Sequence, residues 1–355
     1  MKVIQIMPDF GLAGAETMCE NLCYELRKEG IDVIVVSLYD FHSAITNRIE
    51  ESGIKVIYLK KKRGLDISII YKLRKIFKKE KPDVIHTHRY VMQYAIPASV
   101  GLPIKKRIHT VHNVAEKEVP KQQQKLNYFF YKYFHVIPVA LSNEVKESIS
   151  EVYRIPSKRI PVIFNGINLS KCLPKRNYEI DGVVKIVHIG RFSEQKNHNM
   201  IIHSYKKVLE VIPNCKLILI GSGELEENIR KLVLSLKIDD KVEFKGVISD
   251  VFTYLHKADI FILPSNYEGM PMTLIEAMGT GLPIIATNVG GVPSMIKNNE
   301  NGILIKNNEE DLFLAIKRLM DENKRRELGI NARKTAINMF SSIKMAEKYI
   351  QLYSV

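Results

Sequence analysis

A chain of 355 residues is long for a single hydrophobic core, so two domains are the default expectation. Its 46% hydrophobic and 26% charged residues are ordinary for a globular protein, and the longest uncharged stretch, residues 91–104, is too short and too rich in proline to span a bilayer. The net charge of +14 is concentrated in residues 1–180, which hold 30 Lys and Arg against 18 Asp and Glu. No recognised nucleic-acid module accompanies this charge, so nucleic acid is not an expected partner.

The first half alternates short β-branched runs with amphipathic segments. It opens on MKVIQIMP, which is typical of a buried strand rather than of a signal peptide, so a cytoplasmic protein is expected. A glycine turn follows in PDFGLAGAETMCENL, where Gly11 and Gly14 precede a helix from about Ala15. Amides at such a helix start attract phosphate, although the spacing is not that of the dinucleotide-binding motif. The strand candidates of this half are KVIQIM, DVIVVSL, KVIYL, DVIHTH, KRIHTV, IPVALS and RIPVIFN.

Two segments of the first half leave alternatives open. The run KKKRGLDISIIYKLRKIFKKEKPD, residues 60–83, is typical of a helix with one apolar side and many lysines. It is either a solvated helix face or a surface that meets anionic lipid. The aromatic run KLNYFFYKYFH, residues 125–135, is either a core helix or an interfacial patch. The four cysteines show neither a CxxC pair nor metal-ligand spacing, which indicates reduced thiols.

The alternation of strand-like and helix-like segments is interrupted at the polar stretch KCLPKRNYEID. We therefore predict a first domain over residues 1–170, a linker over 171–181, a second domain over 182–338 and a closing helix over 339–355 that returns to the first domain. The strand candidates of the second half are VKIVHIG, KLILIG, KVEFKG, DIFILPS, LPIIAT and GILIK. Short apolar strands alternating with helices predict an α/β protein of two doubly wound Rossmann-like domains facing across a cleft, with ligands at the carboxyl ends of the strands.

Two motifs of the second half carry chemistry. In HIGRFSEQKNHNMI, Arg191 and Lys196 follow a strand closely, where two cations suit a diphosphate. In PSNYEGMPMTLIEAMGTGLPIIAT, the carboxylates Glu268 and Glu276 would be about 12 Å apart on one continuous helix. The glycine and proline between them instead predict a helix from Pro271 to Met278, with free amides near residues 270–274 directed at an anion. The two carboxylates then serve different parts of one ligand, such as a ribose diol and a sugar hydroxyl on either side of a diphosphate.

Taken together, these motifs resemble those of one enzyme family. EGMPMTLIEAM is similar to the E-x7-E motif of retaining, nucleotide-sugar-dependent glycosyltransferases of the family 4 type with the GT-B fold. The strings GLAGAE, THRY, TVHN, ALSNEVKE, PVIFNGIN, IGRFSEQKN, IGSGE and NVGGVPSMI follow the family's order over nearly the whole chain. The resemblance is strongest to bacterial enzymes that build capsular, exopolysaccharide or other surface glycans.

The resemblance implies roles for single residues. Glu276 would bind the ribose hydroxyls, and Arg191 and Lys196 the diphosphate, while Gly14 would offer its amide to the phosphates from the other domain. Catalytic positions would be His112, near the donor sugar, and Glu268, on that sugar's hydroxyls. The remaining donor-binding positions implied are Val247 and Ile248 beside the base, and Gly269, Met270, Pro271, Met272, Thr273 and Leu274 at the start of the helix.

The reaction implied is transfer of a sugar, with retention, from a nucleotide sugar that resemblance suggests is a UDP-sugar. The acceptor is expected to be a lipid-diphosphate-linked glycan docked on the first domain, with the enzyme peripheral on the inner face of the cell membrane. No DxD-like metal motif is present, and neither a metal nor another cofactor is expected. The alternatives are a catalytically silent nucleotide-sugar-binding partner of another transferase, or an epimerase or phosphorylase on the same fold. The E-x7-E pattern disfavours the epimerase, and no pyridoxal-binding lysine motif supports the phosphorylase.

Overall fold

The structure, a computed structural model, describes residues 1–11 and 13–354. Leu12, in the predicted glycine turn, and Val355, in the predicted closing helix, lie outside the described residues. The chain divides into two compact units. Unit 1 runs from Met1 to Gly166 and takes in the chain from Ser342 onward, and unit 2 is Ile167–Ser341.

Unit 1 is built on a six-stranded parallel sheet in the order β3-β2-β1-β4-β5-β6. Its strands are β1 (Lys2–Met7), β2 (Asp32–Ser37), β3 (Lys55–Tyr58), β4 (Val84–His88), β5 (Lys106–Val111) and β6 (Val136–Ala140). The helices between them are α1 (Gly14–Lys28), α2 (Ala44–Glu51), α3 (Ser68–Glu80), α4 (Met92–Ser99), α5 (Ala115–Glu118), α6 (Lys121–Tyr133) and α7 (Asn143–Tyr153). The strands other than β3 are buried along most of their length, as expected where helices cover both faces of a parallel sheet.

Unit 2 repeats this design with the strand order β12-β11-β10-β7-β8-β9. Its strands are β7 (Val184–Ile189), β8 (Cys215–Ile220), β9 (Val242–Phe244), β10 (Ile260–Leu263), β11 (Ile284–Thr287) and β12 (Ile303–Ile305). Its helices are α8 (His198–Val211), α9 (Glu226–Ser235), α10 (Phe252–Lys257), α11 (Met272–Thr280), α12 (Glu309–Arg318) and α13 (Glu322–Met339). The strand order is that of a doubly wound nucleotide-binding domain, which places ligands where the order reverses, here between β7 and β10 in unit 2 and between β1 and β4 in unit 1.

One strand prediction is wrong. RIPVIFN forms no strand of either sheet, and its only strand-like pairing is a single bridge between Val162 and Ala140 at the end of β6. A short 3-10 turn over Ser157–Arg159 precedes it, and Pro161 has no N–H to donate to a ladder. An apolar sequence does not form a strand when it pairs with the sheet at only one residue.

The stretch predicted as the linker, residues 171–181, packs within unit 2. The Tyr178 hydroxyl donates to the carbonyl of Gly281 at 2.8 Å, and the Arg325 guanidinium donates to the carbonyl of Tyr178 at 2.7 Å. Lys175 donates through Nζ to the carbonyl of Ala258 at 2.7 Å. The boundary therefore lies a few residues earlier than 171–181, after Gly166. The polar composition of this stretch predicts a linker, but hydrogen bonds attach the stretch to unit 2.

The last helix, α14 (Ser342–Ser354), belongs to unit 1 and packs on α1. Its side chains Tyr349 and Tyr353 are buried at 0% and 4% exposure. Both hydroxyls reach the sheet, Tyr353 toward β1 and β4 and Tyr349 toward β5. The helix is therefore attached through polar contacts as well as apolar packing.

The two segments of unit 1 for which the sequence left two interpretations are each partly buried and partly exposed. On α3, Ile69, Leu73 and Phe77 are buried, whereas Tyr71 is 74% exposed. The aromatic run is α6, which buries Phe130 and Tyr131 and exposes Phe129 and Tyr133. α6 is thus both a core helix and an exposed aromatic face. Among the described residues no helix is long and apolar enough to cross a membrane, and all four cysteines are buried free thiols.

Candidate active site

The loops that follow β7 and β10 meet at the switch point of unit 2. Adjacent parallel strands end at the same edge of a sheet, and Phe261 in β10 pairs with Val187 in β7. Gln195 in the first loop accepts the backbone N–H of Asn266 in the second loop through its carbonyl, at 2.8 Å. The loop 190–196 and the loop 264–271 are therefore bonded into one unit, and both carry residues that the sequence singled out.

Glu268 is the centre of this pair of loops. Its side chain is buried, and Oε1 accepts hydrogen bonds from Lys196 Nζ at 2.5 Å and from Ser265 Oγ at 2.6 Å. Oε2 accepts from Gln195 Nε2 at 3.3 Å. The sequence assigned Lys196 and Glu268 to different parts of a ligand, and the structure joins them in a buried ion pair whose side chains are 14% and 5% exposed. Two further members, Gln195 and Ser265, lie inside the quoted motifs but were not assigned a role.

The segment that follows β11 contacts the backbone of Glu268. The carbonyl of Glu268 accepts the N–H of Gly291 at 3.2 Å. Gly290 has φ +49°, and a Cβ at that position would overlap the same carbonyl. The glycines of NVGG therefore allow close passage of the backbone, a reason for them that the sequence alone did not show.

Arg191 lies at the exposed rim. Its side chain is 72% exposed, and its guanidinium pairs with the carboxylate of Glu224 at 3.0 Å. Gly190 precedes it, where a Cβ would come within 3.0 Å of Lys196 Cγ. Nearby, the loop after β8 is tied to the loop after β9 by the N–H of Gly221, which donates to the carbonyl of Gly246 at 2.8 Å. Val247 (55% exposed) and Ile248 follow at this edge of the sheet, where the base was expected.

Glu276 has a different environment from Glu268. Its side chain is partly exposed but makes no hydrogen bond or ion pair with any other described residue. Burial among its neighbours raises the pKa of the carboxyl to about 8, and the positive charge of Lys171 lowers it only in part. A poorly solvated carboxyl without a partner among the described residues suits a ligand with hydroxyl groups.

The helix start before Glu276 differs in detail from the prediction. Pro271 is the residue before the helix rather than its first residue, and α11 continues to Thr280, ending at Gly281 with φ +79°. The amide of Leu274, predicted to be free, donates to the carbonyl of Pro271 at 3.2 Å. The hydroxyl of Thr273 is buried and has no partner among the described residues. Gly269, Met270 and Met272, which precede it in the chain, are buried.

In unit 1 the switch point brings together the ends of β1 and β4. Gly14 is the first residue of α1, as the glycine turn predicted closely. Within the first turn of α1, the buried carboxylate of Glu16 accepts a hydrogen bond from Arg89 Nη1 at 2.7 Å, while its other oxygen has no partner among the described residues. Burial raises the pKa of Glu16, and Arg89 opposes that shift. Arg89, in the quoted string THRY, is 44% exposed and was not assigned a role.

His112 follows β5 at the same edge of the sheet. Its Nε2 lies 3.0 Å from Nδ1 of His88 at the end of β4. Burial, with the nearby His109 and Arg89, lowers the pKa of His112 to about 3, so the imidazole is neutral at physiological pH. Burial raises the pKa of the Glu118 carboxyl to about 7, and the backbone N–H groups of His112 and Asn113 oppose that shift, while Glu118 Oε1 has no hydrogen-bond partner among the described residues.

Comparison with known proteins agrees with this architecture. Residues 12–171 match the family model described as Glycosyltransferase Family 4, and residues 174–335 match the one described as Glycosyl transferases group 1. The chain is 31% identical to the UDP-Gal:alpha-D-GlcNAc-diphosphoundecaprenol alpha-1,3-galactosyltransferase of Escherichia coli, over 81% of this chain and 79% of that protein. It is 27% identical to the capsular polysaccharide biosynthesis glycosyltransferase CapM of Staphylococcus aureus, over 93% and 91%.

A solved structure shares the fold. HepE of Anabaena, in complex with UDP and glucose, superposes with a TM-score of 0.88 at 17% identity, covering 100% of both chains. Two doubly wound domains with these sheet orders and relatives define a glycosyltransferase with the GT-B fold. The family models and the Escherichia coli relative place the protein more narrowly: it belongs to the glycosyltransferases of the family 4 type.

Proposed function

We propose that this enzyme transfers a sugar, with retention of anomeric configuration, from a UDP-sugar to a hydroxyl of a lipid-diphosphate-linked glycan during bacterial surface polysaccharide synthesis. The observation that carries the proposal is the buried Lys196–Glu268 pair at the switch point of unit 2, with Arg191 on the same loop. This is the place where doubly wound domains bind nucleotides, and it presents both a cation and a fixed carboxylate.

The paired geometry suggests how the donor is held. The ammonium of Lys196 has three donors and Glu268 takes one, so the ammonium can also bind a phosphate oxygen while the pair persists. Glu268, oriented by Ser265 and Gln195, accepts hydrogen bonds from hydroxyls of the transferred sugar. Glu276 binds the ribose hydroxyls, and the hydroxyl of Thr273 with the first turn of α11 faces the diphosphate. Val247 and Ile248 border the base, and Gly14 offers its amide to the phosphates.

The chemistry needs no protein nucleophile in this proposal. The bond between the anomeric carbon and the phosphate oxygen breaks, the acceptor oxygen bonds to that carbon on the same face, and the acceptor proton passes to the leaving phosphate. Lys196 and Arg191 stabilise the negative charge that grows on the diphosphate. His112, neutral because it is buried, holds a substrate hydroxyl by a hydrogen bond near the reacting carbon.

We propose that no metal ion is required, because two cationic side chains serve the diphosphate. Activity that is lost in a chelator and returns with Mn²⁺ or Mg²⁺ would contradict this part. The preference for UDP is supported by the HepE complex with UDP and by the UDP-galactose in the name of the Escherichia coli relative. The capsular relative supports the polysaccharide setting.

A cavity on unit 1 fits the sugar of the acceptor. It measures about 420 Å³ and is lined by Tyr39, Lys61, Gly64, Leu65, Tyr90, Gln93 and Tyr94. Three tyrosine rings with an amide between them provide flat apolar faces and hydrogen-bonding groups, which is what a pyranose ring requires. The cavity follows the ends of β2, β3 and β4, and Tyr90 is two residues from His88.

The surface beside this cavity suits a lipid. Leu65, Ile67 and Tyr71 are 74%, 61% and 74% exposed, and the lysines of residues 60–81 flank them in the sequence. Exposed apolar side chains within a basic patch are typical of binding to anionic membranes. We propose that this surface holds the enzyme on the inner face of the cell membrane. Flotation with phosphatidylglycerol vesicles should show binding at low salt that a Leu65→Ser/Ile67→Ser/Tyr71→Ser variant loses; equal recovery of both would contradict the membrane role.

Transfer assays test the function as a whole. We would supply UDP-, GDP- and dTDP-sugars with a polyprenyl-diphosphate-linked N-acetylhexosamine, and determine the anomeric configuration of the product by NMR. A UDP-sugar should be consumed with retention. Inversion would refute the mechanism, and preference for another nucleotide would refute the donor. Binding of UDP-sugars without transfer to any acceptor would instead indicate a silent binding partner.

A further inference from the structure

A chain of buried hydrogen bonds joins the last helix to His112. The hydroxyl of Tyr353 contacts Gln5 Nε2 at 3.2 Å, Gln5 Oε1 contacts His88 Nε2 at 2.9 Å, and His88 Nδ1 contacts His112 Nε2 at 3.0 Å. We name these four residues the histidine relay. Gln5 and His88 are fully buried and Tyr353 is 4% exposed, so water does not compete for their hydrogen bonds.

The direction of every bond in the histidine relay follows from the amide of Gln5. Its oxygen can only accept, so His88 carries its proton on Nε2. Burial and neighbouring histidines hold the pKa of His88 well below its ordinary value, so His88 is neutral and its Nδ1 can only accept. The contact with His112 therefore requires a proton on Nε2 of His112. Because His112 is also neutral, its Nδ1 keeps a lone pair.

The Gln5 amide is oriented with Nε2 toward the last helix and Oε1 toward His88. Gln5 Nε2 donates to the Tyr353 hydroxyl, which then donates to Nδ1 of His86 at 2.8 Å. His86 is also buried and neutral, and its Nε2 donates to Thr110 Oγ1 at 2.7 Å. The Thr110 hydroxyl in turn lies 2.7 Å from that of Tyr349. With Gln5 in this orientation, each donor in the series meets an acceptor.

We infer that Gln5 and Tyr353 are positioning residues that hold His112 in the tautomer with a proton on Nε2, leaving Nδ1 to accept a hydrogen bond from a substrate hydroxyl. The catalytic meaning of this tautomer rests on the proposed function, whereas the tautomer itself does not. The opposite tautomer would place a proton on Nδ1 and offer the hydroxyl a donor instead of an acceptor. A fixed tautomer matters because one imidazole nitrogen cannot serve both roles.

The chain offers a matched pair of variants on one helix. Tyr353→Phe removes the hydroxyl that orients Gln5, and the amide can then rotate and reverse the histidine relay. Tyr349→Phe removes a buried hydroxyl one turn earlier, at the far end of the series, where Gln5 keeps its partner. Both remove the same atom from a buried ring, so a general loss of stability affects both. Gln5→Leu removes the relay altogether.

The test is NMR of the full chain labelled with 15N-histidine, which distinguishes protonated from unprotonated ring nitrogens, with the His112 signal assigned by its loss in His112→Asn. Wild type and Tyr349→Phe should show the proton on Nε2, and Tyr353→Phe and Gln5→Leu a mixture. A proton on Nδ1 in the wild type overturns the inference even if every variant fails to fold. So does an unchanged tautomer in Tyr353→Phe.

Kinetics separate this inference from the proposed function. Tyr353→Phe should lower kcat about 5- to 30-fold, the range expected for one hydrogen bond at the reacting centre, with less change in the donor KM than in kcat. Tyr349→Phe should differ from the wild type by less than about twofold. A mixed tautomer with unchanged kcat would support the histidine relay but refute the role of His112 in the reaction.

Discussion

Replacing Glu276 by glutamine removes a poorly solvated carboxyl and almost nothing else. Burial raises its pKa from 4.5 to about 8, so above pH 8 the folded protein must hold a charge without a hydrogen-bond partner among the described residues. The difference of pKa corresponds to at most about 5 kcal/mol, and partial exposure reduces this to about 1–3 kcal/mol. The pKa of this carboxyl is higher in the folded than in the unfolded protein. The wild type therefore keeps this part of its unfolding free energy below pH 4.5 and loses it as the pH rises through 8.

Glu276→Gln should therefore raise the Tm of unit 2 by about 3–10 °C at pH 9 and change it little at pH 4.5, measured by calorimetry of the enzyme without nucleotide. At pH 9, where the Glu276 carboxyl is charged, the same substitution should weaken UDP binding about 10- to 100-fold by titration calorimetry, because the ribose hydroxyls lose a charged acceptor. Glu210→Gln, on the exposed surface of α8, is the control and should change neither quantity. An equal Tm of variant and wild type at pH 9 would refute the buried charge, and an unchanged Kd would remove Glu276 from the nucleotide site.

Three further predictions concern unit 2. Lys196→Met should destabilise the enzyme by about 3 kcal/mol in urea unfolding, since Glu268 stays buried without its cation, and should raise the Kd for UDP at least about tenfold; a loss no greater than that of the exposed Lys334→Met would contradict the pairing. Gly290→Ala should cost at least about 2 kcal/mol by the same measurement, because its Cβ would overlap the carbonyl of Glu268, and a neutral result would show that the loop can move aside. Thr273→Val should leave Tm unchanged or higher, since its hydroxyl has no partner among the described residues, yet weaken UDP binding several-fold; a lower Tm with unchanged binding would reverse that assignment.

The doubly wound fold could be predicted from the sequence because short local patterns indicate its strands and helices. Of the thirteen strand predictions, only RIPVIFN failed, and the reason was not local: whether an apolar run pairs depends on a free sheet edge and on donors in register. The helix after Glu268 was placed to within one residue at its start because glycine and proline act on their own backbone. Polarity alone predicts a linker over residues 171–181, because composition does not reveal that Tyr178 and Lys175 form hydrogen bonds inside the domain.

The candidate site likewise has features that the sequence predicts and features that only the tertiary structure determines. The motifs alone marked Arg191, Lys196, Glu268 and Glu276 as chemical groups, since residue type and position after a strand suffice for that, whereas only the resemblance to the family singled out His112.

Only the tertiary structure decided which of these groups are partners. Lys196 and Glu268 are 72 residues apart and meet because β7 and β10 are neighbours in the sheet. Gln5 and Tyr353 are 348 residues apart and meet because the last helix packs on unit 1. Local physics sets the strands, turns and reactive side chains, whereas hydrogen-bond partners, burial and hence pKa depend on what the fold brings from elsewhere in the chain.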